Sequence, residues 1–236
     1  SLRSEGYPGL CGGHLVMRVV FWNCNGGFRN KYQYITKFDA DLYIIAEVEG
    51  IDKLNNEQFK RDVQSEQYLA FPGDKKGLLV FTCRNEPIEP LHWDNYRMRY
   101  FMPFKFMNKT FLGIWSKDNY IEDIYLYTGF HLEKLADTIL IGDLNSNVIW
   151  DSHHGYRTHS DFNELMASIK HISAYHDQSG EKFGKETQPT FFMYRKINRP
   201  YHIDYAYVPK GTQFEISFGS SHFLEYSDHL PMVLDL

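Results

Sequence analysis

Apolar residues in this chain come in short runs that end in turn-forming or charged residues, a pattern typical of buried strands. Two such runs cover Met17–Asn23 and Asp41–Ala46. Between them, the turn Asn25-Gly26-Gly27 is followed by apolar residues from Phe28 to Phe38 at the spacing of one helical face. The pattern therefore predicts a strand, a helix and a second strand.

Similar apolar runs predict seven more strands and two longer helices. The helices cover Tyr120–Leu135 and Asp161–Lys170, and Ser160 is the expected N-cap of the second. Lys75-Lys76-Gly77 is expected to form only a turn. Many strands with few helices favour an α/β fold in which two packed sheets are flanked by helices. The further predicted strands are Leu78–Cys83, Met98–Lys105, Thr110–Trp115, Thr138–Ile141, Thr190–Tyr194, His202–Val208 and Pro231–Leu236.

Length and composition favour one domain. With 236 residues, 43% of them apolar, the chain can bury a substantial core. We expect the domain to span residues 17–236. Residues 1–16 are rich in Gly and Pro without a sustained period, and we interpret them as a flexible leader or cloning remnant. No apolar run approaches the roughly 18 residues that a membrane span requires, so no membrane association is expected.

Charge and cysteine content narrow the class of protein. The net charge of -5 argues against nucleic-acid binding through a broad basic face, although it permits local contacts with a few phosphates. Cys11, Cys24 and Cys83 lack the close pairing of a zinc site, and an odd number is a poor disulfide framework. Reduced cysteines predict a cytoplasmic protein. No obligate protein partner is evident from the sequence.

Polar residues with catalytic chemistry follow several of the predicted strands. Acidic side chains gathered at strand ends repel each other unless a cation offsets their charge. Mg²⁺ prefers oxygen ligands and leaves coordination positions for water and phosphate oxygens. Each motif alone is typical of a turn, whereas their joint occurrence predicts a metal-dependent site for phosphodiester hydrolysis. The residues concerned are Asn23, Glu47, Asp143, Asn145, Asp204, Asp228 and His229.

The order and spacing of five motifs resemble the endonuclease/exonuclease/phosphatase superfamily, which includes deoxyribonuclease I and exonuclease III. The resemblance covers Met17 to Leu236. It implies a four-layer α/β sandwich of two packed mixed β-sheets flanked by helices, with Mg²⁺ or Mn²⁺ as cofactor and the active site at one edge. The motifs are Trp22-Asn23, Glu47, Gly142-Asp143-Leu144-Asn145, His202-Ile203-Asp204-Tyr205 and Ser227-Asp228-His229.

The resemblance implies a role for each catalytic candidate. Asp143 matches the residue that orients or deprotonates the attacking water, and Asn23 and Asn145 match residues that hold this water or the phosphate. His229 matches the histidine that contacts the scissile phosphate, and Asp204 matches the acid that hydrogen-bonds it. A carboxylate partner favours the protonated imidazole, which stabilises negative charge on phosphate oxygens.

The metal site and one substrate contact depart from the family pattern. The resemblance implies metal ligands at Glu47 and Asp228. Where exonuclease III-like members often have an acid two residues after the first asparagine, this chain has Asn25, which offers an oxygen without charge, so we expect lower metal affinity. Trp115 aligns with a Tyr or His that lies near the phosphate in nucleases. Its indole donates a hydrogen bond but cannot exchange a proton.

One segment predicts how a substrate is bound. Tyr194–Tyr201 interleaves basic and aromatic residues, a composition that binds nucleic-acid backbones and stacks bases. Arg195, Lys196 and Arg199 are therefore candidate substrate contacts together with Trp115. A solvated hairpin loop is the alternative interpretation of the same segment.

These observations predict a divalent-metal-dependent phosphodiester hydrolase, and the resemblance implies a DNA endonuclease or exonuclease of the exonuclease III or AP-endonuclease type. One alternative is a phosphomonoesterase or phospholipase-like hydrolase of small or lipid phosphates, which the acidic balance supports. The other alternative is a non-catalytic nucleic-acid-binding member. A second group, His153, His154 and His159, is expected to lie in a polar loop rather than to bind a metal.

Overall fold

The computed structural model describes residues 17–236, so the predicted leader lies outside the described residues. Within this range the chain forms fourteen strands, five α-helices and several short 3₁₀ helices. The strands are β1 (Arg18–Asn23), β2 (Leu42–Glu49), β3 (Ser65–Leu69), β4 (Lys76–Thr82), β5 (Ile88–Pro90), β6 (Phe101–Phe106), β7 (Lys109–Trp115), β8 (Thr138–Asp143), β9 (His171–Ser173), β10 (Phe191–Phe192), β11 (Pro200–Tyr201), β12 (Asp204–Pro209), β13 (Glu215–Phe218) and β14 (Met232–Asp235). The α-helices are α1 (Tyr32–Ile35), α2 (Glu57–Asp62), α3 (Ile121–Phe130), α4 (His159–Ser168) and α5 (Ala174–Ser179). The 3₁₀ helices are Phe28–Asn30, Thr36–Phe38, Ile51–Lys53, Leu132–Leu135, Val148–His153, Met193–Arg195 and Ser221–Glu225.

Twelve of these strands form two mixed sheets of six strands each. The first sheet has the order β13-β14-β1-β2-β4-β3, in which β1 and β2 are parallel and the other neighbours are antiparallel. The second has the order β5-β6-β7-β8-β12-β9, in which β7 and β8 are parallel and the others antiparallel. The two remaining strands, β10 and β11, form a separate hairpin.

The main core lies between the two sheets. In β1, Val19 and Phe21 point into this core, whereas Val20 and Trp22 point outward to the helices. All four side chains are fully buried. Because both faces of the central strands are covered, these strands read as continuous apolar runs rather than as an alternation of apolar and polar residues.

Helices cover the outer face of each sheet. On the first sheet, the aromatic side chains of Tyr32 in α1 and Phe59 in α2 pack on Phe81 of β4. On the second sheet, Ile124 of α3 and Phe162 of α4 belong to a second outer cluster. The order of layers is helix, sheet, sheet, helix, which confirms the predicted four-layer sandwich.

Each sheet owes its parallel pair to a strand, helix, strand unit, β1-α1-β2 in the first and β7-α3-β8 in the second. Parallel strands have their carboxyl ends at the same edge of a sheet, where polar groups can converge. At these ends lie Asn23, Glu47, Trp115 and Asp143. A hydrogen bond of 2.9 Å from Asn23 Nδ2 to Asp143 Oδ2 joins the two edges.

Two predictions about helices were wrong in detail. The helix predicted over Tyr120–Leu135 ends at Phe130, because His131 leaves the helical conformation (φ -111°, ψ 18°), and a 3₁₀ helix follows. The N-cap of α4 is Thr158 rather than Ser160. The Thr158 side chain accepts a hydrogen bond from Asp161 N and the Asp161 side chain accepts one from Thr158 N, a reciprocal capping box.

Two predictions about strands also need correction. The strand predicted over Thr190–Tyr194 is reduced to Phe191–Phe192, since the chain turns into a 3₁₀ helix in which Tyr194 has a φ of 59°. Lys76 is the first residue of β4, so Lys75-Lys76-Gly77 is not merely a turn. Strands β3, β5, β9, β11 and β13 and helices α2 and α5 were not predicted; all are short.

Two further observations concern membrane-spanning helices and the cysteines. Among residues 17–236, no helix has the length and apolar character needed to cross a membrane. Cys24 and Cys83 are free thiols, and Cys11 lies outside the described residues. Cys24 is fully buried, and burial raises the pKa of its thiol to about 12, as expected for a cysteine that packs in a core.

Candidate active site

Two carboxylates face each other at the centre of the site. Asp143 is the last residue of β8 and Asp204 the first residue of β12, and the antiparallel register places them directly opposite each other. Both are completely buried. Like charges in directly opposed positions destabilise a sheet. The pair therefore requires a positive group close by.

His229 supplies this positive group. Its Nδ1 lies 2.9 Å from Asp204 Oδ2, and its Nε2 lies 3.8 Å from Asp143 Oδ2. Burial alone lowers the pKa of this imidazole, but the two neighbouring carboxylates outweigh burial and raise it well above its ordinary value. Burial raises the pKa of Asp143, and the charge of His229 counteracts part of this rise. The three side chains form one buried array.

The loop before β14 fixes the position of His229. Ser227 Oγ donates to Asn23 O at 2.6 Å and accepts from His229 N at 3.1 Å, while Trp22 Nε1 donates to His229 O at 3.0 Å. On its other side the loop pairs with the hairpin, through the hydrogen bond of 2.7 Å from Phe192 N to Asp228 O. The imidazole is thus held between the end of β1 and the hairpin.

Two asparagines surround Asp143. Asn23 Nδ2 donates to Asp143 Oδ2 at 2.9 Å and to Glu47 Oε1 at 3.0 Å, so it links the array to the next carboxylate. Asn145 donates to Asp143 twice, from its backbone nitrogen at 2.9 Å and from its side chain at 3.3 Å. Asn145 Nδ2 also donates to Ser116 O at 3.0 Å. These bonds fix the orientation of the Asp143 carboxylate.

Glu47 stands at a break in the regular sheet. The pairing of β2 with β4 shifts between Ala46 and Val48, and Glu47 in this bulge has a φ of 62°. Asn25 and Asn145 also have positive φ values, 53° and 47°. Left-handed conformations cost energy for residues other than glycine and occur often at functional sites. The bulge turns the Glu47 carboxylate toward the end of β1.

Lys76 reaches the same carboxylate from β4. Its Nζ lies 2.6 Å from Glu47 Oε2 and 3.4 Å from Asn25 Oδ1. Burial raises the pKa of Glu47, but hydrogen bonds from Lys76 and Asn23 outweigh burial, so that the pKa is lowered overall. Carboxylate and amide oxygens of this kind also suit a hard divalent ion. The ammonium stands in for such an ion, so the donor set at Glu47 and Asn25 fits a metal.

The structure brings most of the predicted site together. Asn23, Asp143, Asn145, Asp204 and His229 form one hydrogen-bonded or ion-paired cluster, and Glu47 joins it through Asn23. Asp228 is half-buried next to this cluster and accepts from Ser227 Oγ at 3.4 Å. The assigned roles of these residues stay predictions.

The four predicted substrate contacts lie outside this cluster. Trp115 is only 6% exposed and its ring packs on Tyr100 in the core between the sheets, with a centroid distance of 4.5 Å. Arg195, Lys196 and Arg199 are exposed on the loop that joins β10 to β11. Their roles as substrate contacts also stay predictions.

The three histidines after Trp150 do not converge on a metal site. His153 is exposed, whereas His159 is fully buried and bonds to Ser146 Oγ and Tyr207 OH. In residues 17–236, the group of three or more His, Cys, Asp or Glu side chains close enough to share an ion is Asp143, Asp204 and His229. Within this group, His229 Nδ1 is already bonded to Asp204 Oδ2 at 2.9 Å.

Sequence reasoning missed three residues of the site. Lys76 touches Glu47, Ser227 anchors the His229 loop, and the ring of Phe191 lies 4.7 Å from the His229 imidazole. Ser227 belonged to a recognised motif and its side chain could have been assigned as an anchor. Lys76 carried no local signal, since its contact depends on the register between β2 and β4.

Comparisons with known proteins show the fold. No family model and no curated protein matches the sequence. The structure is similar to that of NExo, a 3'-5' exonuclease from Neisseria meningitidis, with a TM-score of 0.71 and 12% identity over 92% of this chain and 98% of that chain. The chain has the deoxyribonuclease I-like fold.

Two further structures agree with this fold. One is a complex of NExo from Neisseria, described as a 3' phosphatase, with a product DNA hairpin; its TM-score is 0.70 at 13% identity, over 92% of this chain and 98% of that chain. The other is the endonuclease domain of TRAS1, a telomere-specific non-LTR retrotransposon, with a TM-score of 0.65 at 13% identity, over 94% of this chain and 98% of that chain.

Proposed function

We propose that the protein is a Mg²⁺- or Mn²⁺-dependent phosphodiesterase that cleaves DNA, a nuclease of the exonuclease III or AP-endonuclease type. The observation that carries the proposal is the buried array of Asp204, His229 and Asp143, fixed by Asn23 and Asn145. Burying two carboxylates and an imidazole costs free energy unless the opposite charges pair with each other. Strongly perturbed groups of this kind are typical of catalytic sites.

Glu47 and Asn25 would hold the metal, with Asp228 as a further candidate ligand. A bound divalent ion supplies charge stabilisation to the phosphate oxygens. The remaining chemistry belongs to the side chains around it. Because these residues offer few ligand atoms, an ion held there would keep coordination positions for phosphate oxygens.

Asp143 would accept a proton from the attacking water, while Asn145 and Asn23 orient it. Burial raises the pKa of Asp143, which brings its basicity closer to that required of a general base at neutral pH. The distance of 3.8 Å between His229 Nε2 and Asp143 Oδ2 is too long for a hydrogen bond. His229 Nε2 is free to donate to a phosphate oxygen, and the Asp204 carboxylate keeps the imidazole protonated.

DNA is the proposed substrate because of the hairpin beside His229. Phe191 in this hairpin contacts the imidazole, and the loop exposes Arg195, Lys196 and Arg199 next to a highly exposed Tyr194. Such a surface suits phosphate contacts and base stacking. Two of the similar structures are described as an exonuclease and an endonuclease domain, and a third holds a DNA product.

A phosphomonoesterase is the second candidate. One similar structure is described as a 3' phosphatase, and the net charge of -5 limits broad binding to a polyanion.

As part of the leading proposal, we place the protein in the cytoplasm, where it acts without an obligate protein partner. The free thiols Cys24 and Cys83 support this compartment.

A substrate panel tests the proposal. Purified protein with Mg²⁺ or Mn²⁺ is assayed on abasic duplex, linear duplex, single-stranded DNA, RNA and inositol phosphates. We expect cleavage of DNA that is lost in EDTA and in Asp143→Asn, and retained in Asp137→Asn, an exposed acid outside the site. Hydrolysis confined to phosphomonoesters favours the second candidate. Binding to nucleic acid without hydrolysis of any substrate means that the protein is a non-catalytic binding module.

A further inference from the structure

A lysine side chain contacts two of the predicted metal ligands. Lys76 Nζ lies 2.6 Å from Glu47 Oε2 and 3.4 Å from Asn25 Oδ1, two of the three predicted ligands. The Glu47 side chain is 22% exposed and that of Lys76 is 37% exposed, so the ion pair is only partly screened by water. The positive charge that this carboxylate requires therefore comes from the chain itself.

The surroundings hold the backbone of Lys76 in place, and a glycine lies beside its side chain. Lys76 pairs with Glu49 in the sheet, and its carbonyl accepts a hydrogen bond of 2.9 Å from Tyr100 OH. Its Cε passes close to Gly26, where an added Cβ would lie only 3.2 Å away. A glycine at this turn thus makes room for the lysine stem. The stem is flexible, and the ammonium can leave Glu47 without disturbing β4.

We propose that Lys76 is a built-in cation that competes with the divalent metal for Glu47. An ammonium at 2.6 Å and a metal ion cannot occupy the same face of one carboxylate, and two cations so close repel each other. Metal binding thus requires Lys76 to move away, which weakens the affinity for the ion. The inference rests on the proposed function in one respect, since it takes Glu47 as a metal ligand.

Titration of Mn²⁺ into the metal-free protein tests this competition by calorimetry, without any substrate. We expect Lys76→Met to bind Mn²⁺ at least about tenfold more tightly than the wild type, because a charge adjacent to the site is removed. Lys76→Arg keeps the charge and should keep the weak binding. Glu47→Gln should abolish the binding in either background.

Lys117→Met is the matched control. The Lys117 side chain is 36% exposed and pairs with Asp74 at 2.9 Å rather than with Glu47. Its removal changes the net charge by the same amount, so we expect wild-type affinity for Mn²⁺. A gain in Lys117→Met equal to that in Lys76→Met would reduce the effect to general electrostatics and overturn the inference.

Other outcomes separate this inference from the proposed function. Equal Mn²⁺ affinities in wild type and Lys76→Met, with both variants folded by thermal melting, overturn the competition while leaving a metal-dependent nuclease intact. Failure of every variant to bind Mn²⁺ overturns it as well. Tighter binding by Lys76→Met in a protein that hydrolyses no phosphodiester supports the competition and sinks only the nuclease.

Discussion

At the scale of single residues, the cost of two opposed carboxylates explains the position of the histidine. Asp143 and Asp204 are neighbours across two strands and have no access to water. His229 lies between them with one nitrogen toward each. Removing one partner of a buried ion pair commonly costs about 3 to 5 kcal/mol of stability, since the other charge is left uncompensated. Stability and activity of variants at this site must therefore be measured together.

We predict that His229→Ala reduces kcat by about 10²- to 10³-fold, the usual effect of losing one donor to a developing charge. Asp204→Asn should reduce kcat by the same factor or less, because it acts through the imidazole. The double variant should be far from additive, since coupled groups fail as a unit. Steady-state kinetics on a DNA substrate, with melting curves for each variant, provide the measurement. Additive losses in folded variants would mean that the two residues act separately.

The positions of Asn23 and Asp143 could be predicted from sequence because both lie at the end of a buried strand in a recognisable motif. Asn23 and Asp143 end β1 and β8, where the apolar run stops. Lys76 could not be predicted in the same way, because its partner Glu47 is 29 residues away and meets it only through sheet register. The burial of Trp115 likewise depends on how the sheets pack.

At the scale of elements, the contact between β7 and β8 is closer than an alanine permits. A Cβ added at Gly142 would lie 2.0 Å from Ile114 O, a backbone atom that cannot give way. Asp143 follows immediately, so any separation of the two strands also moves the carboxylate proposed as the general base.

We predict that Gly142→Ala lowers the free energy of unfolding by at least about 1 to 3 kcal/mol, the usual cost of overpacking. It should also reduce kcat, since Asp143 is displaced. Gly129→Ala in α3 is the control, because an added Cβ there has no neighbour within 4 Å. That variant should gain about 0.5 to 1 kcal/mol from helix propensity. Urea denaturation measures the free energy of unfolding of both variants, and steady-state kinetics measures kcat. An unchanged denaturation midpoint for Gly142→Ala would show that the strands can separate freely.

The hairpin β10-β11 is the element most relevant to substrate class. Its loop exposes Arg195, Lys196 and Arg199, although Arg195 also donates to the carbonyls of Glu225 and Tyr226 at 3.3 Å. These bonds hold the loop against the segment that leads to His229.

We predict that neutralising all three basic residues to Gln weakens DNA binding and flattens the salt dependence of KM by up to about three phosphate equivalents. Neutralising Lys53, Lys60 and Arg61, which are exposed near α2, changes the net charge equally and should leave the slope unchanged. KM on a duplex oligonucleotide is measured from low to moderate salt. Equal slopes in wild type and the loop variant would exclude this role of the loop, and absence of any salt dependence in the wild type would favour the phosphomonoesterase.

Short elements were the hardest to predict from the sequence. The strand β13 at the edge of the first sheet has four residues, of which only Ile216 is buried. Such a segment has too few apolar positions to show a period. Central strands such as β8, with six buried residues, gave a clear signal. Strands with more buried residues were thus easier to predict from the sequence.

At the scale of the whole molecule, folding buries three histidines, His159, His176 and His202, around the ring of Tyr205. His159 has no exposed surface, bonds to Ser146 Oγ at 3.1 Å and lies 3.3 Å from Tyr207 OH. Burial lowers the pKa of this imidazole to about 3, and the nearby Glu186 only partly opposes this. The folded chain therefore keeps His159 neutral under conditions in which the unfolded chain protonates it.

This difference predicts an acid sensitivity of the whole fold. The unfolded histidine has a pKa of about 6.5, so between about pH 6.5 and about pH 3 the unfolded state binds one more proton at this position than the folded state. Stability is lost as the pH falls through this window, by up to about 1.4 kcal/mol per pH unit from His159. Other groups, Asp143 among them, titrate in the same range, so the effect must be isolated by a variant.

We predict that His159→Gln, less stable than the wild type at pH 7, becomes progressively less disadvantaged as the pH falls from about 6.5 toward 3, because it lacks the proton uptake by unfolded His159. Tyr207→Phe removes the neighbouring hydroxyl and keeps the imidazole, so its stability should follow the pH with the wild-type shape. Urea unfolding at half-unit pH steps gives the three curves. A constant difference between wild type and His159→Gln across this range would show that burial of His159 does not limit the acid stability of the fold.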